Sequence, residues 1–401
     1  MSSRSKPGSA LKEEYTRELH VDEWRVFWRN LRCAFIAETI PGMIYREMMN
    51  ALGFLAKPYF FRFQAIPGFI TVNMLVNEGY SPKEALEKYA WLHTIGGRGK
   101  AEIVEADLDK PKVVVKVYDP AITQWFRRNV KNVKTEFPFY DCSWLGYSWV
   151  GAVKAALSEG SGGSIPVTYD SGKCFALGDE YCEFHVERSE REEDPFQDLE
   201  EDYLTHSLHS KSVKSIAHAS SGRMNEKIWK LIDMLEVRGD GEICIGRERI
   251  LLVEGGMYSL AQMLLPVELF GGVVYGAYMR SHLDYGRFLA KQGRKYGLER
   301  VLDFFLSSAS SMGWGKLELV EFEESRVVLG TYQSIYAETA KDYIAKTGLK
   351  RRPVCTYGWV VEGILNYFAE VEGKPPFVSK EEKCVAKGDN YCEFVLSRKT
   401  S

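Results

Sequence analysis

The stretch Cys384-Val385-Ala386-Lys387-Gly388-Asp389-Asn390-Tyr391-Cys392-Glu393-Phe394 has a near copy earlier in the chain, Cys174-Phe175-Ala176-Leu177-Gly178-Asp179-Glu180-Tyr181-Cys182-Glu183-Phe184. Each holds two cysteines eight positions apart around a Gly-Asp pair, and the registers coincide at an offset of 210 residues. Gly-Asp between two short apolar segments predicts a tight hairpin. Such a hairpin brings its flanking thiols to one face.

Two thiols do not close a zinc shell, which takes four ligands. Cys142 precedes Cys174 by 32 positions and Cys355 precedes Cys384 by 29. Each opens an aromatic, glycine-bearing segment. A carboxylate stands just before each hook: Glu381, three positions before Cys384, and Asp170, four before Cys174. The expected shells are Cys355, Glu381, Cys384 and Cys392 in the second half, and Cys142, Asp170, Cys174 and Cys182 in the first. Glu180 or a water is the alternative fourth ligand there. Three thiolates and a carboxylate leave no open position, so such a site is structural and its binding energy is folding energy. The competing reading is a set of buried core thiols, a common fate of free cysteine. Repetition in register favours the metal. A disulfide is disfavoured, because the N-terminal residues do not resemble a secretory leader, and a cytoplasmic location is expected.

The chain of 401 residues is 45% hydrophobic and 27% charged, with a formal net charge of -3, as in ordinary globular proteins. No basic surplus points to nucleic acid, and no apolar run reaches the length of a membrane span. Aromatic residues make up 13%, enough ring surface to line a pocket. Six of the eight cysteines fall in the two proposed shells; Cys33 and Cys244 read as core thiols.

Hydrophobic periodicity gives an order of elements that occurs twice. After a polar tail (1–20), residues 20–38 alternate as strands, and Pro41–Gly53 and Phe60–Glu78 read as helices. Ser81-Pro82 opens a helix with Glu84 in its first turn. Gly96-Gly97-Arg98-Gly99 ends it, and strands follow at 100–107 and 112–118. In the second half, residues 243–254 read as strand and Tyr258–Leu269 as helix. A glycine-rich entry at Gly271 leads into another helix. Tyr296–Leu306 matches the Ser81 helix, and Gly313-Trp314-Gly315 matches Gly97-Arg98-Gly99. Strands at 317–321 and 326–331 follow. The expected architecture is α+β: two homologous domains (21–187 and 239–398), each an antiparallel sheet packed with helices and a zinc hairpin. A charged and partly helical linker (188–238) joins them. Its histidines, His206, His209 and His218, read as part of a flexible spacer.

These features resemble the 4-vinyl-reductase-type hydrocarbon-binding domain, which also forms the sensor module of activators of aromatic catabolism. Met43-Ile44-Tyr45-Arg46-Glu47-Met48, Glu78-Gly79-Tyr80, Gly313-Trp314-Gly315, Pro353-Val354-Cys355 and the Glu381-x-x-Cys384-x7-Cys392 hook carry the resemblance. It implies a structural zinc beside an apolar ligand pocket. It also implies a histidine and a tryptophan touching a ligand hydroxyl. His93 and Trp91 are the expected contacts, with Tyr118 and Tyr332 after the second strand of each half. Ser307–Ser311 carries no histidine, so the two pockets are expected to differ.

No Gly-x-x-x-x-Gly-Lys-Ser/Thr loop, dinucleotide fingerprint or catalytic triad stands out, so an enzyme is the less favoured reading. The leading expectation is a zinc-stabilised sensor of aromatic or hydrocarbon ligands that lacks its own ATPase or DNA-binding output and acts through a protein partner. A tetrapyrrole- or lipid-handling accessory factor and a non-catalytic scaffold built as a pseudo-dimer are the alternatives. A homodimer is left open.

Overall fold

The computed structural model describes residues 19–23, 25–28, 31–56, 64–110, 112–129, 142–158, 167–189, 226–238, 242–246, 248–255, 270–347 and 355–399, with single positions at 17 and 267. The helix expected at Tyr258–Leu269 and the linker histidines lie outside the described residues, apart from position 267.

In chain order the elements are β1 (Leu19–Asp22), β2 (Arg25–Trp28), β3 (Leu31–Ala37), α1 (Thr39–Leu52), α2 (Ala65–Asn77) and α3 (Pro82–Ile95). Next come β4 (Lys100–Asp107), β5 (Lys112–Tyr118), α4 (Ala121–Asn129), α5 (Ser143–Leu157), β6 (Val167–Lys173) and β7 (Tyr181–Arg188). The chain continues with α6 (Glu226–Asp233), β8 (Glu236–Arg238), β9 (Glu242–Ile245), β10 (Glu248–Glu254), α7 (Gly272–Gly293) and α8 (Leu298–Ser311). Last are β11 (Lys316–Phe322), β12 (Arg326–Tyr332), α9 (Ile335–Thr347), α10 (Tyr357–Val371), β13 (Phe377–Lys383) and β14 (Cys392–Arg398). The class is α+β, and every strand pairing described in detail below is antiparallel.

The chain divides into two compact units. One comprises Met1–Leu11, Leu52–Ser210 and Leu235–Leu252; the other comprises Lys12–Ala51, Lys211–Met234 and Val253–Ser401. Each unit therefore takes a strand-bearing segment from the other half of the sequence. The first unit receives β8, β9 and most of β10, and the second receives β1 to β3 and nearly all of α1.

The first unit is built on the sheet β4-β5-β7-β6, the second on β11-β12-β14-β13, the same order of strands. Period-2 alternation sets which face is covered. Val113, Val115 and Val117 on β5 and Cys182, Phe184 and Val186 on β7 all have essentially no exposure. Pairing Val117 with Cys182 and Val115 with Phe184 lines up those inward residues. In the second unit Thr331 pairs with Cys392 and Leu329 with Phe394. The inward face of each central strand pair thus ends at a hook cysteine.

Helices cover that face. In the first unit α5 packs on β6 and β7 and crosses α2. In the second, α10 packs on β13 and β14 and crosses α7. The cap at Ser81 closes as the sequence predicts: its amide donates to Glu84 Oε2 at 2.9 Å, and its Oγ accepts from the Glu84 amide.

The Gly-x-Gly motifs seat the segments from the other half of the sequence. A Cβ at Gly97 would lie 2.4 Å from the Ile250 carbonyl oxygen, and one at Gly313 would lie 2.6 Å from the Val26 side chain. Both residues also have positive φ, a region glycine enters without the Cβ penalty. These glycines serve close packing. A buried arginine then pins each segment. Arg249 of β10, 1% exposed, donates to the Gly97 carbonyl at 2.9 and 3.1 Å and to the Asp119 carbonyl at 2.8 Å. Arg32 of β3 donates to the carbonyls of Cys33 and Gln333 and to Glu338 Oε2. Asp119 and Gln333 both adopt positive φ, so each arginine grips a strained turn after the second strand of its sheet.

Candidate metal centres and ligand pocket

Each hook is a turn of 3-10 helix between two strands. In the second unit the turn Val385–Lys387 ends at Gly388 with φ 108; in the first, Phe175–Leu177 ends at Gly178 with φ 112. A left-handed glycine reverses the chain at that point. The aspartate that follows locks the loop. Asp389 Oδ2 accepts the Cys384 amide at 2.8 Å, and Asp179 Oδ2 accepts the Cys174 amide at 2.8 Å. The hook amides also point at sulfur: Val385 N–H donates to Cys392 Sγ at 3.4 Å, and Phe175 N–H donates to Cys182 Sγ at 3.4 Å.

The third cysteine arrives from the N-terminal end of the covering helix. Cys355, Cys384 and Cys392 place their sulfurs within 4.8 Å of one another, all buried, and so do Cys142, Cys174 and Cys182. In the second unit Cys355 and Cys392 are 3.6 Å apart and Cys392 and Cys384 are 4.0 Å apart. Zinc–sulfur bonds of about 2.3 Å in a tetrahedron require sulfurs about 3.8 Å apart. Hydrogen bonds from Cys355, Cys384 and the Val385 amide hold the Cys392 thiol well below its ordinary range. The donor set and its spacing fit a tetrahedral thiolate-bound cation.

Glu381 stands beside the second cluster, outside its group of three sulfurs. Its side chain is 1% exposed; Oε1 accepts the Cys355 amide at 3.2 Å and Oε2 pairs with Lys387 Nζ at 2.6 Å. Burial, with Cys384 beside it, pushes its carboxyl up to about 7. Asp170 is not brought to the first cluster. It is exposed on β6, with its Cα opposite His185, and Glu180 is exposed as well. Counting 210 residues back from Glu381 reaches Ser171, so the strand register puts a hydroxyl where the second unit has a carboxylate. That count was available in the sequence.

The first cluster departs from expectation in a second way. Cys142 and Cys182 form a disulfide, with Cys174 Sγ 3.2 Å from Cys142 Sγ. The expectation of free thiols follows from compartment alone. The fold brings three sulfurs together regardless, and two of them meet. The remaining cysteines, Cys33 and Cys244, are buried as expected.

His93 lies buried in the first unit at 1% exposure. Its Nδ1 is 3.3 Å from the Gly99 carbonyl oxygen. A carbonyl only accepts, so Nδ1 carries the hydrogen and Nε2 is left as an acceptor. Among the described residues Nε2 has no partner, and neither has the indole Nε1 of fully buried Trp149. The two rings are 5.8 Å apart, and Tyr89 packs edge-on against Trp149 at 4.8 Å. Burial, reinforced by Arg98, lowers the His93 imidazole to about 3, so it is neutral at physiological pH. An acceptor and a donor, each without a partner among the described residues, are thus carried on two neighbouring buried rings.

Trp91, the tryptophan expected there, is half-exposed two positions before His93 on α3, and so on the other side of the helix. Tyr118 and Tyr332 are also half-buried and pair with the hook tyrosines: Tyr118 with Tyr181 at 5.3 Å and Tyr332 with Tyr391 at 5.4 Å. Lysines cover these rings, Lys100 over Tyr118 and Lys316 over Tyr332. Sequence reasoning missed Trp149, Gln64, His282 and Trp359. Periodicity marks a helix face as buried and does not say which ring meets which. In the second unit an open groove of about 360 Å³ runs between α6, α8 and β11, lined by Leu302, Leu306, Ser310 and Leu317. It touches neither cysteine cluster nor a buried imidazole.

No protein-family model matches the chain. No curated protein matches it either. Among solved structures it is similar to the phenol-responsive sensory domain of the transcription activator PoxR, determined with phenol. The identity is 18% and the TM-score 0.38, over 49% of this chain and 96% of that one. No helix among the described residues is long and apolar enough to cross a membrane.

Proposed function

We propose that the chain is a small-molecule sensor for aromatic ligands that carry a hydroxyl group, built from two related units that exchange segments and stabilised by structural zinc. The observation that carries this reading is the His93–Trp149 pair. A buried imidazole acceptor and a buried indole donor, both lacking partners among the described residues, complement one hydroxyl, which donates to Nε2 and accepts from Nε1. A buried polar atom without a partner costs about 1–3 kcal/mol, and a ligand that satisfies it recovers that amount. The aromatic surround supplies the apolar contact.

Zinc fits the second cluster best, held by Cys355, Cys384, Cys392 and Glu381. Bound there it would contribute folding energy, because the shell has no open position for water. In the first unit Cys142, Cys174 and Cys182 supply three sulfurs once the disulfide is reduced. The chain's own residues do the rest: hook amides support the sulfurs, and the hook anchors β14 to α10. A bound ligand's effect passes to a protein partner that reads it.

Native mass spectrometry of protein purified from cells, paired with elemental analysis, tests this. A copurified or added phenol and at least one zinc per chain are expected. A tetrapyrrole or lipid in its place would favour the accessory-factor reading. Zinc with no ligand after phenol addition would favour the scaffold.

A further inference from the structure

His93 has no counterpart at the matching position of the second unit. Aligning Gly97-Arg98-Gly99 with Gly313-Trp314-Gly315 places Ala309 there. The second unit nevertheless contains a buried imidazole, on a different helix. His282 of α7 is 1% exposed. Its Nδ1 lies 2.9 Å from the Tyr278 carbonyl oxygen, one helical turn back, so Nδ1 carries the hydrogen and Nε2 is an acceptor. Nε2 has no partner among the described residues.

Two further observations point the same way. The crossing glycines of the helix pairs match Gly68 on α2 with Gly286 on α7, both set against the opposing helix. That register puts Gln64 at the place of His282. Gln64 is 1% exposed, and its Nε2 also lacks a partner among the described residues. Among the described residues an unpartnered polar nitrogen therefore occurs at this place in both units, a donor on Gln64 and an acceptor on His282. The walls around His282 are flat: Tyr278 lies 4.7 Å away and Trp359 6.2 Å away, centroid to centroid.

We infer that the second unit holds its own site for a neutral, planar, hydroxyl-bearing aromatic molecule, centred on His282 and built differently from the His93 site. The inference rests on the sensor reading of the first pocket. The ligand hydroxyl donates to His282 Nε2 and the ring stacks among Tyr278 and Trp359. The chain thus carries two inequivalent receptors, which separate by affinity or by the ring substituents they admit.

Fluorine NMR of the full chain with 4-fluorophenol, alongside calorimetric titration with phenol, tests this. Two bound fluorine resonances are expected. His282→Leu should remove one and weaken its phase at least about tenfold, the loss of one buried hydrogen bond; His93→Leu should remove the other. His282→Gln copies the residue of the first unit and guards against misfolding. It should keep the melting profile while shifting the same resonance. One resonance, lost with His93→Leu and untouched by both His282 variants, overturns the inference and leaves the sensor reading intact. No bound resonance in the parent chain defeats both.

Discussion

The two cysteine clusters are near copies that end in different chemical states. Both have the hook, the left-handed glycine, the aspartate lock and a third sulfur from a covering helix. The second adds Glu381 and keeps three thiols at metal-like spacing. The first has Ser171 at that register and a Cys142–Cys182 disulfide. The scaffold that gathers three sulfurs is therefore separable from the carboxylate that stands beside them in the second unit. Removing the metal should expose the difference most. Cys392→Ser should cost on the order of 5 kcal/mol and unfold the second unit, since the thiolate shell is folding energy. Cys174→Ser should cost far less under oxidising conditions, because the disulfide still ties α5 to β7. Elemental analysis should find one tightly held zinc per oxidised chain and a second only after reduction. Equal losses from the two variants, or no zinc at all, would break the comparison.

The next effect concerns the units that carry the clusters. Arg249 belongs to the second half of the sequence and pins the first unit; Arg32 belongs to the first half and pins the second. Arg249→Met and Arg32→Met should each cost about 3 kcal/mol, the usual penalty for breaking a buried, hydrogen-bonded ion pair. Hydrogen exchange should place each loss in the unit encoded mainly by the other half of the sequence: Arg249→Met should lower protection in β5 and β7, and Arg32→Met in β12 and β14. Protection lost in the opposite unit in both cases would contradict the exchange of segments.

That exchange was the part of the fold least visible in the sequence. Alternation identified strands near residues 20–38 and 243–254, and Ser81 marked a helix start. Nothing in a period-2 pattern says which sheet a strand joins. The hooks were legible because Gly-Asp and paired cysteines constrain a loop locally. Ser171 was legible too, through the offset of 210, but a nearby aspartate drew the assignment to Asp170. Trp149 and His282 were not, because their partners lie on helices remote in sequence.

Acid should act on both units through their imidazoles. His93 and His282 are buried neutral, with folded values lowered by burial to about 3 and about 4. The unfolded chain takes up these protons first, near 6.5, so stability is intact above that pH. It falls as pH drops from 6.5 toward those lower values. By pH 5 each histidine should cost about 2 kcal/mol. Denaturant titrations at pH 7.5 and pH 5 measure this, and His93→Gln or His282→Gln should flatten the slope by its own share. A slope unchanged in both variants would assign the acid response to the sulfur clusters.

The smallest effect bears most directly on why the clusters differ. If the carboxylate is what separates them, it should be transferable. Glu381→Ser gives the second cluster the residue of the first and should weaken zinc retention on the order of tenfold, about 1.4 kcal/mol. Ser171→Glu in reduced protein should strengthen retention in the first by a similar factor. A glutamate at 171 has no Lys387 beside it, because Leu177 occupies the matching position. Its carboxylate would be committed to the metal alone, whereas Glu381 is paired with Lys387 Nζ and the Cys355 amide. The transplanted residue should therefore match the native one only when Leu177→Lys is added, if the lysine is what orients the carboxylate. If Ser171→Glu alone suffices, Lys387 serves to neutralise a buried acid, and orientation comes from the Cys355 amide. Competition with a chromogenic zinc chelator separates these outcomes. No gain in either variant would mean that the disulfide, rather than the missing carboxylate, sets the first cluster apart.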